Sequence, residues 1–105
     1  YSRNAVNGLK EYEMKFEELK FEKLYDGVQA IVKFDKYEMS VVSHSYSYGG
    51  KKGMYEIAIF DGKSQVELPG ITREGDTVQG FLCEEGLNVI FKKMTSITGS
   101  LGTQV

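Results

Sequence analysis

Cysteine, proline, tryptophan and histidine are nearly or wholly missing from this sequence. Its 105 residues include one cysteine, one proline, one histidine and no tryptophan. Cys83 cannot form an internal disulfide, so the chain is not a disulfide-rich secreted scaffold and the reducing cytoplasm is its expected compartment. A lone histidine and a lone cysteine, far apart in sequence, do not supply the three or four ligands of a zinc or iron site. The sequence predicts no metal site and no cofactor.

Positive charge and long apolar runs are also scarce. Thirteen basic residues stand against fifteen acidic ones, which gives a net charge of -2, and only Arg3 and Arg73 are arginines. A non-specific nucleic-acid binder normally carries a strongly basic surface, and arginine is the residue that clamps phosphate and reads guanine edges. No apolar run approaches the ~20 residues needed to cross a bilayer. We expect no membrane association, and nucleic-acid binding through a local patch at most.

The composition that is present is typical of one compact domain. Hydrophobic residues make up 41% and charged residues 27% of the chain, which is ordinary globular usage. Residues 14–96 are predicted to form this domain, and residues 97–105 a flexible tail. Residues 1–13 are predicted to be an N-terminal extension that is either weakly helical or not native. The second alternative is suggested by the codons before Met14, which can contain a bacterial ribosome-binding sequence.

A three-stranded meander is predicted between Leu19 and Ser43, where apolar and polar residues alternate. Two-residue turns at Asp26-Gly27 and Asp35-Lys36 would join the strands, and Asp-Gly is well suited to such a turn. These turns predict the following cross-strand pairs on one apolar face: Tyr25 with Val28, Phe21 with Val32, Phe34 with Tyr37, Val32 with Met39, and Ala30 with Val41. Both hairpins place the same face in the core, which favours this register.

A second hairpin is predicted around Asp61-Gly62. In its register Ile57 faces Val66 on the buried side, and Glu56 faces Glu67 on the solvent side. Proline cannot donate to a sheet ladder, so Pro69 ends the last strand, and residues 69–77 are predicted to form a surface loop.

The last element is predicted to be an amphipathic helix in the sequence CEEGLNVIFKKM. Its apolar stripe has the spacing i, i+3, i+4, i+7 and consists of Leu87, Ile90, Phe91 and Met94. Acidic residues in the first turn and lysines near the end suit the helix dipole. The predicted fold class is therefore α+β, with an antiparallel meander of about five strands packed against one C-terminal amphipathic helix.

The segment SHSYSYGGKKG, Ser43–Gly53, is the strongest candidate for a functional site. Neighbouring residues on a strand point to opposite faces, so the adjacency of Ser43, His44 and Ser45 does not make a nucleophile and base pair. GGKKG lacks the glycine and lysine spacing of a phosphate-binding loop and does not open a predicted helix. No catalytic set is found, and the sequence does not predict an enzyme.

Binding is the alternative use of this segment. Its candidate binding residues are His44, Tyr46, Tyr48, Lys51 and Lys52. If the chain stays extended, the two tyrosines project to one side beside the lysine pair, which suits a protein partner or a single-stranded nucleic acid or nucleotide. The other interpretation is structural, with the tyrosines bracing a wide turn against the sheet. Exposure of the tyrosines distinguishes these interpretations.

The stretches SYSYGGKKGMYEIAIF and VQGFLCEEGLNVIFKKM, with an SVV strand before them, resemble a group of small proteins encoded by phages and prophages of Gram-positive bacteria. In that group a Ser/Tyr-Gly-Gly-x-x-Gly loop follows the SVV strand, and a terminal helix opens with Gly-Tyr-Leu-Thr-Glu-Glu. The similarity runs from about Met14 to Met94. Phe81, Cys83 and Gly86 depart from the group's pattern. The resemblance implies a phage or prophage origin and a protein acting inside a bacterial cell, and the group has no assigned function.

These observations favour a non-enzymatic accessory protein that binds and modulates a host protein in the cytoplasm of a bacterial host. Inhibition of a bacterial defence system is one form that such modulation takes. The alternative is a weak single-stranded nucleic-acid or nucleotide-binding module. A homodimer formed through an unprotected strand edge also stays open at this point.

Overall fold

The computed structural model describes residues 13–105, so the predicted extension over residues 1–13 lies almost wholly outside the described part of the chain. The elements of the described part are, in chain order, a 3₁₀ helix at Phe16–Glu18, β1 at Glu22–Leu24, β2 at Gly27–Phe34, β3 at Tyr37–Ser43, a second 3₁₀ helix at Gly50–Lys52, β4 at Tyr55–Asp61, β5 at Ser64–Gln65, β6 at Val78–Leu82, α1 at Glu84–Thr98 and β7 at Thr103–Gln104.

The strands form one antiparallel sheet in the order β1-β2-β3-β4-β5. Strand β6 also pairs with β4, and β7 also pairs with β2. The predicted α+β class, with a meander followed by a C-terminal helix, is confirmed. Within residues 13–105, no helix has both the length and the apolar character needed to cross a bilayer.

The core lies between α1 and one face of the sheet. All four residues of the predicted apolar stripe, Leu87, Ile90, Phe91 and Met94, are buried. They belong to one cluster with the inward side chains of the central strands, which are Val32, Phe34, Met39, Val41, Ile57 and Ile59. Each fully buried side chain of this size contributes about 1.5–3 kcal/mol. Hydrophobic periodicity therefore predicted the helix and its buried face correctly.

The hairpin between β2 and β3 has the predicted register. Phe34 pairs with Tyr37, Val32 with Met39 and Ala30 with Val41 across the Asp35-Lys36 turn.

The hairpin between β1 and β2 does not have the predicted register. Its turn is Tyr25-Asp26, and Val28 pairs with Lys23 instead of Tyr25. Gly27 lies within β2, so close to the end of β3 that a Cβ atom there would overlap the Ser43 carbonyl oxygen. The glycine thus serves a close backbone approach instead of the turn. The shift is by an even number of residues, and Leu19 and Phe21 still pack against the core. Tyr25, which was predicted on the same apolar face, is instead 66% exposed.

The hairpin after β4 is also shifted. Asp61 pairs with Ser64, so the turn is Gly62-Lys63, and Glu56 does not face Glu67 as predicted. Gly62 has a φ of 64° and supplies the left-handed conformation at the first turn position. Strand β5 then ends at Gln65.

Strand β6 was not predicted. It pairs with β4 on the same side as β5, beyond the short stretch that β5 occupies. It pairs Ala58 with Val78 and Tyr55 with Leu82, with a register shift between them. The connection between β5 and β6 is not only a surface loop, since Ile71 is 2% exposed and belongs to the core cluster.

The tail also differs from its predicted frayed state. Helix α1 extends to Thr98, beyond the predicted boundary at residue 96. Thr103 and Gln104 then pair with Lys33 and Val32 of β2. The long strands β2 and β4, which flank β3, are therefore covered by short strands on their outer sides, which is a common protection against edge-to-edge association.

Candidate functional site

The segment Ser43–Gly53 is a compact series of turns and does not stay extended. The Ser47 hydroxyl organises its first half, because it donates to the His44 carbonyl at 2.9 Å and accepts from the His44 N–H at 3.0 Å. Ser47 is buried. The backbone N–H of Ser47 also donates to the His44 carbonyl, and that of Gly50 donates to the Ser47 carbonyl. A serine between two tyrosines thus closes the loop on itself.

The conformation of the second half of the loop requires glycine at positions 49 and 50. Gly49 has a φ of 91°, and a Cβ atom at Gly50 would overlap the His44 carbonyl oxygen. The Gly49 carbonyl accepts from the N–H groups of Lys52 and Met54, each at 3.0 Å. The GGKKG sequence therefore builds a tight 3₁₀ turn, which presents Lys51 and Lys52 as exposed side chains.

An aromatic cluster forms on one side of the loop from Tyr25, His44 and Tyr46. The ring centroids of Tyr25 lie 5.2 Å from His44 and 5.9 Å from Tyr46, with interplanar angles of 85° and 87°. His44 and Tyr46 are 6.0 Å apart. Tyr46 is 81% exposed and Tyr25 66% exposed. The predicted residues His44 and Tyr46 are thus brought together, and Tyr25 joins them although it was predicted to lie within a strand.

Tyr48 packs against β6 and lies outside this cluster. Its carbonyl accepts from the Phe81 N–H at 3.1 Å, and its Cβ occupies the space that a side chain at Gly80 would need. The Tyr48 side chain is 59% exposed, and Phe81 beside it is 56% exposed. The condition under which Tyr46 and Tyr48 would project to one side, an extended chain, is therefore not met, because the intervening Ser47 turns the chain. The loop braces the sheet through its backbone and leaves its tyrosine side chains exposed.

Nucleophilic chemistry is not arranged around His44. Its Nδ1 accepts from the Tyr46 N–H at 3.1 Å, so the neutral ring carries its proton on Nε2. The neighbouring hydroxyls bond elsewhere, since the Ser43 Oγ donates to the Met54 carbonyl and the Ser47 Oγ donates to the His44 carbonyl. Among residues 13–105, no hydroxyl or carboxylate is hydrogen-bonded to the imidazole, and no group of three or more candidate metal ligands is found.

Two carboxylates accept hydrogen bonds from backbone N–H groups of the loop. Asp26 Oδ1 accepts from the Ser45 N–H at 2.9 Å, and this hydrogen bond lowers the pKa of the Asp26 carboxyl below its usual value. Glu56 Oε1 accepts from the Tyr48 N–H at 3.4 Å. Burial raises the pKa of the Glu56 carboxyl, and the Tyr48 N–H opposes that rise. Both acids are therefore engaged by loop backbone.

A shallow polar recess of about 350 Å³ opens between the first turn and the loop. Its lining residues are Asp26, Ser43, His44, Ser45, Gly50 and Lys51. Lys51 thus lies near the aromatic cluster, whereas Lys52 does not line the recess. The surface can offer aromatic area, hydroxyl groups, an imidazole N–H and two ammonium groups, which are the components of a binding surface.

Comparisons of the chain with family models, with curated proteins and with solved structures found no match. The resemblance to phage-encoded proteins therefore stays a prediction.

Proposed function

We propose that this protein is a non-enzymatic binding protein that contacts a host protein through the Ser43–Gly53 loop. The observation that carries the proposal is the exposure of Tyr46 and Tyr48 on a loop whose backbone is fixed. Tyrosine brings a large contact area with few rotatable bonds, and a fixed backbone reduces the entropy lost on binding. Such rings on a pre-organised loop are the usual anchors of a protein interface.

The ring geometry favours a protein over a single-stranded nucleic acid. Base stacking needs open ring faces beside a cationic track. Here the Tyr25 ring meets both His44 and Tyr46 nearly at right angles. The basic groups of the loop are limited to Lys51 and Lys52. An edge-to-face cluster of this kind fits a shaped protein recess better than a row of bases.

The biological setting of the proposal is the cytoplasm of a bacterial host. The single cysteine and the resemblance to phage and prophage proteins support it. A small accessory protein of that origin, without a catalytic set in its described residues, acts by occupying a surface of a host protein. Inhibition of a defence system is the form of modulation that we propose.

Affinity capture from a lysate of the bacterium that carries the gene tests this function. One stoichiometric protein partner is expected with the unchanged chain, and its recovery should fall about tenfold or more when Tyr46→Ala and Tyr48→Ala are combined. Val89→Ala is the control, because Val89 is an exposed apolar residue on α1 and is not part of the loop. Equal capture by the tyrosine variant and the control would remove the loop from the proposal.

A further inference from the structure

Backbone conformation distinguishes two aromatic residues from the other aromatic residues in the described part of the chain. Among residues 13–105, seven glycines and three other residues, Tyr25, Asp35 and Phe81, have a positive φ. Glycine takes this conformation without a Cβ penalty, and a short polar residue such as aspartate tolerates it. A bulky aromatic residue there is unfavourable for folding.

A two-residue hairpin turn lies at each end of β2, and the first residues of these turns can be compared directly. Tyr25 and Asp35 each follow a strand and open such a turn, with φ values of 55° and 56°. Asp35 is a residue that turn chemistry prefers. Tyr25 is not a residue that such a turn prefers, and it is 66% exposed. Local folding therefore accounts for Asp35 but not for Tyr25.

Phe81, on the opposite side of the loop, is also an exposed aromatic residue with a positive φ. It lies where two residues of β6 oppose one residue of β4, because Gln79 pairs with Ile57 and Leu82 with Tyr55. Such a bulge favours a residue that accepts a left-handed backbone. Phenylalanine does not, and Phe81 is 56% exposed, so burial offsets only part of the cost.

We propose that Tyr25 and Phe81 are partner-binding residues, and that one protein partner spans the Ser43–Gly53 loop and contacts Tyr25 on one flank and Phe81 on the other. This inference rests on the proposed function and extends it by two residues that sequence patterns did not identify. Both residues border the loop, since Tyr25 contacts His44 and Tyr46, and the Phe81 N–H bonds to Tyr48. Selection for binding accounts for aromatic residues at two positions where folding favours asparagine or glycine.

The charges indicate the chemistry of this partner. Lys51 and Lys52 are exposed, whereas the nearby carboxylates of Asp26 and Glu56 already accept loop N–H groups. An apolar recess rimmed by carboxylates would receive the rings and face the two ammonium groups. The partner surface is therefore expected to be acidic at its rim and apolar at its centre.

Thermal unfolding of the full chain tests whether the two rings serve the fold. Tyr25→Asn and Phe81→Asn are expected to leave the midpoint unchanged or to raise it by up to about 5 °C, because asparagine accepts a positive φ. Asp35→Tyr is the converse variant and should lower the midpoint. A fall of more than about 5 °C in Tyr25→Asn or Phe81→Asn would assign these rings to folding and overturn the inference.

Site-specific photo-crosslinking in the native cell tests the contact itself. A benzophenone amino acid at position 25, 46 or 81 should attach to the same polypeptide, whereas position 35 should not. Crosslinking at 46 but not at 25 and 81 would overturn this inference and leave the proposed function in place. Absence of a crosslink at all three positions would reject both. Binding of a labelled 20-nucleotide dT strand that weakens steeply with salt and is lost in Lys51→Glu would replace the protein partner with a nucleic acid.

Discussion

The chain reverses direction at both ends of the sheet, but different types of residue form the turns at each end. At the end that carries the Asp35-Lys36 and Gly62-Lys63 turns, the positive φ values belong to aspartate and glycine, and Lys36 Nζ lies 3.5 Å from Asp61 Oδ2. We call this the turn end. At the other end, the loop end, Tyr25, the Ser43–Gly53 segment and Phe81 lie together. Folding chemistry explains the residues of the turn end, whereas exposed aromatic residues at the loop end require a second explanation, which is binding.

The largest expected difference between the two ends concerns two glycines that follow aspartate. Gly27→Ala at the loop end should lower the free energy of unfolding by about 3 kcal/mol, because its Cβ would overlap the Ser43 carbonyl oxygen. Gly62→Ala at the turn end has open space and only a positive φ to resist it, so about 1–2 kcal/mol is expected. Urea unfolding of both variants measures the difference.

The order of these two effects is the decisive result. If Gly62→Ala were the more harmful change, Gly27 would not be in close contact with the end of β3, and the shifted register of the first hairpin would be in error. Gly53→Ala is a further control, since Gly53 also combines a positive φ with open space.

A smaller difference is expected for polar contacts. Ser47→Ala removes a buried hydroxyl that bonds both the N–H and the carbonyl of His44, so a loss of about 2 kcal/mol is expected. Lys36→Ala removes an exposed ion pair at the turn end that solvent screens, so its effect should be clearly smaller than that of Ser47→Ala. Thermal unfolding at matched salt compares them. Equal effects would mean that the loop is not held by Ser47, and the pre-organisation on which the binding proposal depends would fail.

Hairpin registers show where sequence reasoning succeeded and where it failed. Every cross-strand pair predicted around Asp35-Lys36 is correct, because the turn and the apolar alternation agree there. Around Asp26-Gly27 and Asp61-Gly62 the predicted turns were displaced, because a glycine in a familiar dipeptide was assigned to the second turn position. Gly27 instead allows contact with β3, which is remote in sequence, so the dipeptide alone could not reveal its role.

The composition of residues 43–53 drew attention to the loop, but it did not settle the arrangement of its side chains. Whether the tyrosines are exposed was left open, and the contact between His44 and Tyr46 was not predicted. Tyr25 and Phe81 were not identified at all, because their place beside the loop depends on a shifted register and on the β6 bulge. The bulge interrupts the alternation of VQGFL, and this is why no strand was predicted there. Positive φ at a bulky residue is visible only in the structure.

The smallest expected effects are pH-dependent. The loop end should lose stabilisation in acid, and the turn end should lose it in alkali. The hydrogen bond from the Ser45 N–H lowers the pKa of Asp26 below its usual 3.8, so the charged carboxylate stabilises the loop end above that value. This contribution is lost as the pH falls through the lowered pKa. At the turn end, the Asp61 charge raises the pKa of Lys36 above its usual 10.5. The stabilisation from Lys36 is present below that value and is lost as the pH rises through the raised pKa.

Amide chemical shifts in NMR titrations resolve the two events without unfolding the chain. The Ser45 amide should shift in acid, since it donates to Asp26, and Asp26→Asn should abolish that acid titration while leaving the turn end unchanged. Lys36→Gln should abolish the alkaline change near Asp61 and leave Ser45 unaffected. If Ser45 did not respond to acid, Asp26 would not hold the loop, and the difference between the two ends would reduce to their aromatic side chains alone.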